Sequence, residues 1–191
     1  MSFFQRLRQG LGGGKPVGDL AKAYPQDAFQ PADGLLAYPQ KNRPSDGGLF
    51  AYRLEFMVPV PDAARVIDAL ASEFDLPSGN AFQEGEARRG KKAAHFSVRQ
   101  EFGGAVVVIL TNSMSLLAKI DALTLEPPPP WTVFPNVDPS TLGSLQGSME
   151  HWWDWLFLPF WSALDASSRS RYLKIHPTGE NWLEFLETLS P

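Results

Sequence analysis

The chain has no cysteine among its 191 residues. That excludes disulfides, thiolate metal sites and cysteine nucleophiles, and it suits a reducing cytoplasm. Long apolar runs are missing as well. The most hydrophobic stretch, between Asp154 and Asp165, offers 10 uncharged residues with Pro159 in their midst, whereas a membrane-spanning helix needs about 20. The N-terminus, MSFFQRLRQGLGGGKP, lacks the continuous apolar core of a secretory signal because Arg6 and Arg8 interrupt it. GLGGGKP is not a phosphate loop: no strand precedes it, its spacing is one residue short, and Pro16 stands where Ser or Thr is required. SLQGS does not match the G-x-S-x-G nucleophile elbow.

Positive charge is scarce outside the N-terminus. Arg6, Arg8 and Lys15 lie in residues 1–16 without an acid, so the formal net charge of −4 becomes −7 for the remainder. An acidic body repels nucleic acid and attracts a basic protein. In the EARRGKK stretch, Arg88, Arg89, Lys91 and Lys92 form a basic cluster, but without interleaved aromatics it reads as a solvated hairpin flank.

What the sequence does have is a core's worth of hydrophobic residues, 43%, in patterns that give an α+β fold. Residues 1–16 read as a basic arm. Phe3, Phe4, Leu7 and Leu11 recur at helical spacing within it, so residues 3–11 offer an alternative role as a peripheral membrane anchor. Residues 17–48, rich in Pro, Gly, Asp and Gln, read as a strap that Tyr24, Phe29 and Tyr38 dock against the domain. Residues 49–191 form a single α+β domain. LFAYRLEFMV alternates as a strand over 49–58, and a helix begins at Pro61 with Ala64, Ile67, Ala71 and Phe74 on one stripe. LPSGNAFQEGEARRGKK reads as a polar loop. AAHFSVRQE and AVVVILTN are strands joined through Phe102, Gly103 and Gly104, and SMSLLAKIDAL is a short helix. The expected sheet is small, mostly antiparallel and of about three strands.

The prolines of EPPPPWTVFPNVDP impose an extended connector, and beyond it the chain is helical, with Asp138, Ser140 or Thr141 as candidate caps. MEHWWDWLFLPFWSAL then concentrates four of the six tryptophans. Apolar nearly all round, this helix must be enclosed, and any face left over suits a partner. Pro159 bends or splits it. GENWLEFLETL supplies a last amphipathic helix.

Candidate chemistry is sparse. Glu150, His151 and Asp154 sit at three- and four-residue spacings, the geometry in which a helix can share a divalent metal or pair a base with an orienting carboxylate. A metal-dependent enzyme built on those three is therefore an alternative reading. No second histidine lies at helical spacing, so a polar helix face explains the trio more simply. His95 falls mid-strand, where a structural role is commoner, and His176 precedes Pro177 at a helix end.

The segments SLQGSMEHWWDWLFLPFWSALDASSRSRYLKI and NWLEFL resemble the tryptophan-rich helical ends of small bacterial proteins of the toxin-immunity type. The resemblance implies a compact, acidic, cytoplasmic protein that neutralises an effector by stoichiometric binding, without catalysis or cofactor. It rests on aromatic spacing and transfers no residue roles. The residues themselves lead to the same expectation, a non-catalytic protein-binding module. Trp131, Phe134, Glu150, Trp153 and Asp154 are the candidate partner contacts.

Overall fold

The computed structural model describes residues 17–44, 48–77, 79–140 and 147–189. Its centre is one antiparallel sheet of four strands, β1 (Tyr52–Val58), β2 (Glu84–Arg89), β3 (Lys92–Glu101) and β4 (Gly104–Thr111), in the order β1-β4-β3-β2. The fold is α+β, as the patterns predict, but with four strands rather than about three. The additional strand, β2, lies inside the stretch expected to be a polar loop. It pairs with β3 from Glu84↔Ser97 to Arg89↔Lys92, and only Ala87 on it is buried. The β3–β4 hairpin turns at Phe102 and Gly103, both at positive φ (53° and 73°), the backbone that a tight two-residue turn demands.

Side chains alternate across the sheet, so each strand serves both faces. On the first face, Leu54, Phe56, Val58, Phe96, Val98, Val107 and Ile109 pack against α2 (Val60–Phe74) and α3 (Met114–Ala122). Within α2 the buried stripe is Ala63, Val66, Ile67, Leu70 and Phe74; Ala64 is exposed and Ala71 only half-buried, which corrects the expected stripe by one residue. The α3 N-terminus is capped by Ser113, whose Oγ accepts from Leu116 N–H.

The second face has two covers. At one end, Leu20, Ala23 and Tyr24, from α1 (Val17–Ala23) and its exit, pack on Ala93 and Leu110. At the other, Met57 and Val106 meet the C-terminal aromatic layer. That layer comprises a single helical turn α4 (Pro130–Val133), then α5 (Ser148–His151), a π-helical segment (Trp152–Phe157), α6 (Leu158–Ala163), α7 (Ala166–Ile175) and α8 (Glu180–Thr188). The proline connector is interrupted by that turn, since Pro130 supplies a φ already suited to a first helical position. The tryptophan helix starts after Gly147, not at Asp138 or Ser140. Asp138 instead accepts from Ser140 N–H in a local turn, and Thr141 lies outside the described residues.

Candidate functional site

The tryptophan helix owes its shape to Pro159. A proline inside a helix lacks the N–H for one backbone bond, and its ring crowds the carbonyl four residues back. Here the helix widens just upstream. Leu158 N–H bonds to Trp153 O, five residues back, which closes the π segment, and α6 continues beyond.

The burial pattern follows from that widening. Trp152 and Trp153, then Leu156 and Phe157, then Phe160 and Trp161 are all buried, while Asp154 and Trp155 face outward. Trp152 is fully enclosed; its Nε1–H donates to Met57 Sδ at 3.0 Å, tying the helix to β1. Its ring stacks on Phe157 at 5.4 Å and meets the edge of Phe134 at 5.2 Å. Trp153 packs on Phe185 of α8 at 5.5 Å, and Trp131 on Trp182 at 5.9 Å. Tyr172 of α7 donates its hydroxyl to Pro127 O at 2.9 Å, binding the proline connector beneath the layer.

Of the five predicted contact residues, Glu150 and Asp154 are exposed, Trp131 and Phe134 are half-buried within the layer, and Trp153 is 7% exposed and packed inside it. The structure thus brings the three aromatics together as packing rather than as free surface. The indole on the surface is Trp155, 43% exposed and adjacent to Asp154. Every exposed charge around it on α5, the π segment and α6 is acidic, and α8, which contacts Trp153 through Phe185, exposes Glu180, Glu184 and Glu187. Neither stretch contains Lys or Arg. On these elements the exposed charge is acidic around one large aromatic, whereas α7 of the same layer exposes Arg171 and Lys174.

His151 does not join Glu150 and Asp154. Its Nε2 lies 3.3 Å from Glu55 Oε1 on β1, and Glu55 also pairs with Arg53. Burial opposes ionisation of Glu55, but the hydrogen bond from His151 and the neighbouring Arg53 guanidinium outweigh it and hold the carboxyl below its ordinary range. Among the described residues, no three His, Asp or Glu side chains are placed to hold a metal ion.

The second histidine of this face, His95, fastens the strap. Tyr24 donates its hydroxyl to Leu110 O at 2.7 Å, so its oxygen accepts from His95 Nδ1 at 2.6 Å. His95 Nε2 faces Glu86 Oε2 at 3.2 Å. His176 closes α7, its backbone N–H bonded to Tyr172 O. Away from this face, an open groove of about 440 Å³ runs between α2 and α3, lined by Arg65, Ala69, Ser72, Lys119, Ala122 and Leu123 among others. Both its cations are engaged, Arg65 with Asp62 and Leu123 O, Lys119 with Ser72 and Glu73.

No helix of the described residues is long and apolar enough to cross a membrane. The proposed anchor over residues 3–11 lies outside the described residues. Fold and site together define an α+β protein whose four-stranded antiparallel sheet is covered on one face by a tryptophan-rich helical layer, acidic on its surface around Trp155. The chain matches no protein-family model, no curated protein and no solved structure.

Proposed function

We propose that this chain is a non-catalytic binding protein of the immunity or inhibitor kind, acting in the cytoplasm by covering the working surface of a basic partner protein. The observation that carries the reading is Trp155. In a segment whose other three indoles are buried, this one stands 43% exposed beside Asp154. Large aromatics within a polar rim are the usual energetic anchors of protein interfaces, and the acidic groups on the elements around Trp155 would steer the encounter. The resemblance of the C-terminal third to toxin-immunity proteins supports the same mode of action.

The test is affinity capture from the native host with the wild-type chain, Trp155→Ala and Asp154→Lys. A basic partner recovered at one per chain by the wild type, and bound at least about tenfold more weakly by both variants at unchanged melting temperature, is the expected result. A partner held equally well by all three chains would remove the rim from the interface. Recovery of no stoichiometric partner would argue against the binding reading altogether.

A further inference from the structure

The sheet has two edges, and they are finished differently. At β1, Asn42 already occupies the outer side, exchanging backbone hydrogen bonds with Arg53 (2.9 and 2.8 Å). At β2 no strand of the described residues lies outside, and all its residues but Ala87 are exposed. The β2–β3 loop is Gly90 and Lys91, so the closing pair Arg89↔Lys92 is a hydrogen-bonded one. Alternation then turns the backbone groups of Gly85, Ala87 and Arg89 toward β3 and those of Glu84, Glu86 and Arg88 outward. Gln83 O, accepting from Val98 N–H at 2.8 Å, confirms the parity.

We propose that the outer edge of β2 pairs antiparallel with β2 of a second copy of this chain, forming a continuous sheet across a twofold axis at Ala87. In that register Glu86 lies opposite the second copy's Arg88 and Arg88 opposite its Glu86, all on one face. The outward backbone groups of these two residues bond to each other across the axis. Each Arg89 falls opposite a Gly85, over which the ring of Phe96 already lies. The strand reads acidic in its first half and basic in its second, Glu84-Gly85-Glu86-Ala87-Arg88-Arg89. An antiparallel copy satisfies that order, and a parallel one would set like charges together. Among the described residues Arg88 carries no ion pair, and Glu86 is paired with His95 at 3.2 Å. Exposed edges are commonly guarded by charges that repel added strands, but here the charges complement their own reversed sequence. Pairing of β2 with itself about a twofold axis uses up that edge and closes at two copies, and Asn42 already occupies the β1 edge at Arg53. The contact is at β2, whereas the π segment that carries Trp155 packs on β1 at the other edge of the sheet, so failure of the contact would leave the partner reading untouched.

The experiment is sedimentation analysis of the full chain over about a hundredfold range of concentration, with folding followed by circular dichroism. A reversible monomer–dimer equilibrium is expected. Arg88→Glu should weaken it by about tenfold or more, and the exchange Glu86→Arg with Arg88→Glu should restore it toward wild type. Glu86→Pro removes an outward N–H and leaves the bonds to β3 in place, so it should abolish the dimer in a folded chain. A wild-type chain that stays monomeric throughout, or a dimer indifferent to Arg88→Glu and Glu86→Pro, would overturn the proposal.

Discussion

Glu73, near the C-terminal end of α2, is a carboxylate that the fold buries and then surrounds with donors. Ser113 Oγ and Lys92 Nζ reach its Oε1 at 2.7 and 2.9 Å, Lys119 Nζ reaches Oε2 at 3.2 Å, and Ser115 donates as well. Burial alone would raise its pKa. The hydrogen bonds of Ser115, Lys92, Ser113 and Lys119 outweigh that and push it down to about 2 from 4.5. A folded-state pKa below the unfolded one means stability that is present above about pH 4.5 and lost as pH falls toward 2. Glu73→Gln should therefore cost about 2 kcal/mol at neutral pH, allowing for the partial exposure of both lysines, and should flatten the acid limb. Urea denaturation across that window measures both effects; parallel limbs for the two proteins would show that another group titrates there. Gly104 makes a different single-residue point. A Cβ at this position would come 2.6 Å from Met57 Cε and 2.7 Å from Val58 O, and the second of these is strand backbone that cannot swing aside. Gly104→Ala should destabilise by about 2 kcal/mol, read as a lower melting temperature.

At the scale of elements, the tryptophan helix was partly written in the sequence. Its buried pairs, Trp152 with Trp153, Leu156 with Phe157, and Phe160 with Trp161, repeat every four residues. A regular 3.6-residue helix drifts by ~40° at each such step and would spread those pairs around its circumference. The wider π turn winds more slowly, cancels the drift, and keeps the pairs on one side. Ordinary helical pitch hides this alignment, and Trp153, expected as a partner contact, is buried while Trp155 is exposed. The consequence is measurable: Trp153→Ala should cost about 3 kcal/mol or more in urea denaturation, and Trp155→Ala less than about 1 kcal/mol. Similar costs at both positions would mean the pairs are not aligned as described. β1, β3, β4, α2 and α3 were legible because each buries a periodic set of apolar residues. β2 was not, since EGEARR buries Ala87 alone and owes its strand conformation to hydrogen bonds with β3. His151 was visible as a possible ligand beside Glu150 and Asp154, but its actual partner, Glu55, lies 96 positions earlier in the chain, beyond the reach of any local pattern.

Across the whole molecule, the sheet is the shared wall between two apolar layers whose buried residues are separate, with Tyr38 packed against both. α2 and α3 fill one side, the aromatic helices the other, and β1 and β4 contribute alternate side chains to both: Phe56 and Val107 to the first, Met57 and Val106 to the second. All six tryptophans belong to the second side, either in its core or on its rim. Indole fluorescence therefore reports the aromatic layer alone, while far-ultraviolet circular dichroism reports the sheet together with all the helices. If one strand set anchors both layers, neither can be lost without exposing the other's floor, and the two signals should give coincident urea transitions. Met57→Ala tests the coupling at its narrowest point, because Met57 is fully buried, seats the Trp152 indole through its sulfur, and leaves the first face untouched. The variant should shift the fluorescence midpoint to lower urea by more than the circular dichroism midpoint, separating transitions that coincide in the parent. If the two midpoints instead move together in Met57→Ala, the layers are joined by more than this contact, and the molecule unfolds as one unit whichever side is weakened.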